Sequence, residues 1–147
     1  MIKKPFIIFS FMFLILSCGG DESSTNEVVL PQNPTIITDK TSISFDDTMV
    51  SKSSSASSVL IESKNVDSSL NISSSDGFEI SLNNLDFSNS LTIEANQSKT
   101  IYVRFSPSKI QTYNGNINIQ NTQATDVKIN LSGEGIQLKY NYKTFSK

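Results

Sequence analysis

Short runs of alternating apolar residues constrain this chain more than any other feature. Ile101, Val103 and Phe105 stand two apart, with Tyr102 and Arg104 between them. Side chains two apart share one face of a strand, so such a run buries one side and wets the other. The same spacing recurs at Ile43 and Phe45, Val59 and Ile61, Leu70 and Ile72, and Phe78 and Ile80. It continues at Leu91 and Ile93, Ile117 and Ile119, and Val127, Ile129 and Leu131. No stretch after residue 17 carries apolar residues at helical spacing. Turn residues separate the runs every 8–12 positions or so, which predicts an all-β sandwich over residues 41–135 of about seven to nine antiparallel strands.

The turns have chemical causes. Asp76-Gly77 supplies the positive backbone angle of a tight turn, and Asn114-Gly115 gives a similar signal. Pro107 lacks a donor and is expected to end the strand that carries Ile101 to Phe105. Gly133 and Gly135 are expected to follow the last strand. Each large apolar side chain buried by the inward faces stabilises by about 1.5–3 kcal/mol, most of which chain entropy offsets.

Residues 1–17 have the layout of a secretory signal. Lys3 and Lys4 give a positive start, Phe6 to Leu16 form an apolar run interrupted by Ser10, and Ser17 is small. The run is short of the roughly 20 residues that span a bilayer as a helix. The segment Ile15-Leu16-Ser17-Cys18 resembles the bacterial lipobox. That resemblance implies diacylglycerol on the Cys18 thiol, cleavage before it, and a mature protein held to a membrane by its lipid. Gly19-Gly20-Asp21-Glu22 resembles the export signals of Bacteroidetes surface lipoproteins, but it reads equally as linker charge. The expected location is therefore the outer membrane or the cell surface. Residues 18–40 read as a lipidated tether, polar at Ser23 to Asn26 and broken by Pro31 and Pro34.

Loss of Lys3 and Lys4 with the leader leaves ten basic residues against fourteen acidic ones, a net charge near −4. Nucleic acid repels such a surface unless its basic residues are concentrated, and no strong patch is evident. Cys18 is the one cysteine, so no intrachain disulfide is possible.

From Phe78 to Gly135 the order of elements is distinctive. It runs Gly77-Phe78-Glu79-Ile80-Ser81, then Ile101 to Pro107, then Tyr113-Asn114-Gly115-Asn116-Ile117, and ends Leu131-Ser132-Gly133-Glu134-Gly135. This order resembles the ASH/major-sperm-protein-like immunoglobulin-like domains of bacterial surface and secreted proteins. The resemblance covers residues 41–135, loosely before Phe78, and implies an immunoglobulin-like fold with no shared catalytic residues. Members are mostly spacers, accessory modules of enzymes, or adhesion and scaffold units. Phe105 is expected in the core, Pro107 at the strand end, and Tyr113 bonded to backbone at a corner, as in related sandwiches.

Catalytic chemistry has little to work with. The chain lacks histidine, which removes Ser-His-Asp and Cys-His catalysis and most zinc sites. Asp46-Asp47 and Asp86 are conceivable acid–base carboxylates, but adjacent strand residues face opposite ways, so solvated turn positions are expected. No phosphate-binding glycine loop or calcium-loop spacing is present, and no cofactor or metal is expected. Asp47-Thr48-Met49 resembles a short O-glycosylation motif of Bacteroidetes envelope proteins. The serine run Ser51 to Ser58 reads as a flexible loop or a polar strand edge.

Residues 136–147 form an amphipathic strand or tail, with Ile136, Leu138, Tyr140 and Tyr142 alternating with polar neighbours. It either adds an edge to the sandwich or pairs with another chain. Tyr102, Arg104, Tyr140 and Tyr142 are the candidate partner surface. The expected function is a non-enzymatic, lipid-anchored envelope module for adhesion, scaffolding or protein–protein contact. The alternative is a carbohydrate-binding accessory lipoprotein whose exposed tyrosines stack on sugars.

Overall fold

The computed structural model describes residues 32–138, so Cys18, the leader, Asp21, Glu22, Tyr140 and Tyr142 lie outside the described residues. Ten strands form two sheets, and the described residues contain no helix. In chain order they are β1 (Thr35–Thr38), β2 (Ser42–Ser44), β3 (Thr48–Met49), β4 (Ser57–Lys64) and β5 (Leu70–Ser74). Then come β6 (Phe78–Ser81), β7 (Ser90–Ile93), β8 (Ser98–Phe105), β9 (Thr112–Gln120) and β10 (Val127–Ile136). One sheet has the order β1-β4-β8-β6, the other β2-β10-β9-β5-β7, with β3 also paired to β10.

The period-two runs do what their spacing predicts. Val59, Ile61, Phe78, Ile80, Ile101, Val103 and Phe105 point inward from the first sheet. Leu70, Ile72, Ile93, Ile117, Ile119, Ile129 and Leu131 meet them from the second. All are buried, whereas Tyr102 and Arg104 are half-exposed on the opposite face of β8. Phe45, Phe78, Phe105 and Tyr113 cluster at one end of this core, with neighbouring ring centroids 5.2–6.2 Å apart.

Several expectations need correction. Among the described residues the strands number ten, and two pairings are parallel rather than antiparallel: β2 and β3 both run alongside β10. These are short pieces of three and two residues, too brief for periodicity to announce. Folding also begins inside the stretch assigned to the tether, because β1 pairs Thr35–Thr38 against β4. Ile36 packs on the core, while Ile37 stays 54% exposed. Four residues give almost no local signal; what makes them a strand is the open edge of β4 beside them.

Asn114-Gly115 is not a turn but lies mid-strand in β9, with Gly115 opposite Leu131. Gly133 and Gly135 likewise lie within β10, which runs on through Ile136 and so crosses the boundary drawn at the tail. These two glycines are demanded by close approach. A Cβ at Gly133 would sit 2.8 Å from the Phe105 ring, and one at Gly135 would strike the Lys109 carbonyl. Gly77, by contrast, is the turn residue its context predicts, with φ +85°.

The serine run resolves into two parts. Ser57 and Ser58 open β4. Ahead of them, Ser54 brackets Phe105: its amide donates to the Phe105 carbonyl at 2.9 Å, and its Oγ accepts the Phe105 amide at 2.9 Å. A small hydroxyl thus completes backbone pairing where β8 has run past the start of β4, which is the polar-edge reading.

Candidate interaction surfaces

The residues that carry the family pattern meet at one end of the sandwich and are occupied there. The Tyr113 hydroxyl accepts the amides of Ser108 at 3.1 Å and Lys109 at 2.9 Å, closing the corner after Pro107 as expected. The Ser108 hydroxyl beside it, together with those two amides and the Lys109 charge, lowers the phenol pKa against the opposing effect of burial. Phe105 meets the Tyr113 ring edge-on at 71°, and Pro107 and Gly135 are buried beside Lys109. This cluster is packing and backbone satisfaction; it offers no group to a substrate.

Asp46 and Asp47 share one groove rather than facing opposite ways, because they sit in a connection and not in a strand, and Asp86 lies elsewhere. Asp46 and Asp47 line a polar surface groove of about 490 Å³ shared with Lys52 and Ser53 to Ser57. Asp86 belongs to the β6–β7 connection and holds the Asn83 amide at 2.8 Å. Among the described residues no three His, Cys, Asp or Glu side chains gather as metal ligands. The Thr48 hydroxyl donates to the Asp46 carbonyl at 2.9 Å, and the residue is 7% exposed.

Tyr102 and Arg104 do share the outer face of β8, as alternation requires. Arg104 is already engaged, however. Its Nε and Nη2 both lie 2.7 Å from Glu79 Oε2, and its guanidinium stacks 3.9 Å from the centroid of the Phe87 ring. The pair is about 30% exposed on each side, which makes it worth at most about 1 kcal/mol. Tyr102 is half-buried opposite Ser58 and Ser81. Of the three tyrosines expected on a partner surface, Tyr102 alone lies among the described residues.

Two apolar features escaped the sequence reading. Leu85, at the tip of the β6–β7 connection, is 80% exposed. A groove of about 510 Å³ opens at the end of β10, lined by Met49, Val50, Lys109, Ile110 and Ile136 among others. Ile110 is 61% exposed there. Asn83-Asn84 before Leu85 and Asp86 after it are a turn signal, but a lone leucine among them reads as core.

Among curated proteins none matches the chain. The PapD-like domain 7 of human CEP192 is similar in structure, with a TM-score of 0.47 and 15% identity over 79% of this chain and 98% of that one. The periplasmic chaperone SfaE has a TM-score of 0.43 and 12% identity, over 73% of this chain and 61% of its own. A Bacteroides ovatus GH5 xyloglucanase gives 0.47 and 14% over 75% of this chain, but over 20% of the enzyme. The sequence match is more direct: the family model of Cep192 domain 4 takes in residues 33–136, from just before β1 to the last residue of β10. The sandwich, its tyrosine corner and this match together place the chain in the Cep192 domain 4 family.

Proposed function

We propose that this protein is a non-catalytic, lipid-anchored module of a bacterial envelope whose sandwich makes contact with another protein. One observation carries the reading. The family's motif residues, Phe105, Pro107, Tyr113, Gly133 and Gly135, are consumed in packing and corner bonds, which leaves the outer surface to do the work. That surface includes an apolar tip and an apolar groove rather than converging acid–base groups. Membership of a family of non-catalytic domains supports the same reading. The anchor rests on Ile15 to Cys18, and the polar stretch after it supplies the spacing from the membrane.

The test is expression of the full chain in a bacterium with lipoprotein-processing enzymes. Mass spectrometry should find an acylated Cys18 at the mature amino end, and Cys18→Ser should move the protein out of the membrane fraction. An unmodified thiol at Cys18 overturns the anchor. Cross-linking in intact cells should trap a protein partner on the sandwich, and absence of any cross-linked species overturns the interaction reading. Protease accessibility on whole cells separates surface display from the periplasmic leaflet.

A further inference from the structure

We propose that two copies of this chain associate head to tail, with Leu85 of one seated in the Met49–Val50–Ile110–Ile136 groove of the next. The inference rests on the interaction reading above, but not on the lipid anchor, and it names the partner as the chain itself.

Leu85 is held out by construction. Asn83 Oδ1 accepts the amides of Leu85 and Asp86 and the hydroxyl of Ser81, each at 2.9 Å. Asn83 Nδ2 donates to Asp86 Oδ2 at 2.8 Å, and Asn84 takes a left-handed φ of +60°. Below the tip, Ile80 and Ser88 exchange both backbone hydrogen bonds, at 2.8 and 2.9 Å. A loop bonded this thoroughly has lost its freedom to fold the leucine away, so its apolar surface stays in water until something covers it.

The groove is equally well framed. The Val50 amide donates to the Ile136 carbonyl at 2.9 Å on one side, and the Gly135 amide to the Gln111 carbonyl at 2.9 Å on the other. Its volume of about 510 Å³ accommodates a leucine side chain with room to spare. The charges beside the two features are opposite. Asp86 follows Leu85, and Lys109 precedes Ile110. Neither forms an ion pair among the described residues, where the one such pair joins Arg104 to Glu79. Lys109 itself lines the groove, so an acidic tip is matched in charge by a basic groove.

Tip and groove are different patches, so the contact is heterologous and repeats as an open chain or closes as a ring. One leucine in one groove makes a small, weak interface.

Sedimentation of the purified full chain tests the contact. Average mass should rise with concentration for the unaltered protein, and stay monomeric for both Leu85→Asp and Ile110→Asp. Both sites are exposed, so circular dichroism should show the fold intact in each. The decisive sample is the mixture. Leu85→Asp keeps its groove and Ile110→Asp keeps its tip, so together they should form a dimer and grow no further. A mixture that stays monomeric overturns the proposal, as does an unaltered chain that is monomeric throughout. If Ile110→Asp and deletion of residues 139–147 lower the melting temperature alike without changing mass, the groove belongs to the chain's own following segment and the proposal fails. A monomeric chain that still cross-links to a different envelope protein would defeat this proposal while leaving the interaction reading intact.

Discussion

The two ends of the sandwich are held together by different chemistry. At the end where β8 finishes and β9 begins, four aromatic rings cluster, and two strand glycines let β10 press against Phe105 and the Lys109 backbone. At the other end, side-chain amides knit the loops. Asn96 accepts the Val66 amide at 3.0 Å and donates to the Val66 carbonyl at 2.8 Å. Asn121 Nδ2 donates to the Ser68 carbonyl at 2.8 Å, and Gln123 bonds both the Asp67 amide and its carboxylate. The aromatic end depends on shape, where a misplaced methyl has nowhere to go. The amide end depends on bonds that water replaces at moderate loss. The family pattern sits at the aromatic end, because interlocking shapes restrict residue type far more tightly than exchangeable hydrogen bonds do.

Substitution at each end turns this contrast into numbers. Phe105→Ala should have the largest effect, since it removes a fully buried ring that touches Phe45, Phe78 and Tyr113. A loss of about 3–5 kcal/mol is expected in urea unfolding. Gly133→Ala comes next, as its new methyl must displace the Phe105 ring. Overpacking of this kind costs about 1–3 kcal/mol, and the paired change Gly133→Ala with Phe105→Leu should recover part of it. Asn96→Ala should cost less than Phe105→Ala, about 1–3 kcal/mol, because buried Val66 loses both of its bonds to that side chain. Should Asn96→Ala prove as damaging as Phe105→Ala, the two ends would not differ in the way described. Hydrogen exchange at the Val66 amide sharpens the comparison: it should accelerate in Asn96→Ala and stay protected in Gly133→Ala.

Much of the aromatic end was legible beforehand. Phe105 in the core, Pro107 at the strand end, Tyr113 at a corner and Gly77 in a turn all stand where the sequence reading put them. The candidate surface was far less legible. Tyr102 and Arg104 share a face as alternation demands, yet nothing in the sequence announces that Glu79 and Phe87 already occupy Arg104. Leu85 was invisible as a surface residue, because its exposure follows from the Asn83 bonds beneath it.

Alternation along the chain determined by itself which residues face inward and that the fold is all-β, since inward and outward positions follow from strand geometry within a few residues. Tertiary structure alone decided that β1 is a strand, that β2 and β3 run parallel to β10, and that Gly115, Gly133 and Gly135 are strand rather than turn positions. Each of those depends on which distant segment lies alongside. A glycine reads the same whether it frees a turn or makes room for a ring, until the ring is in place.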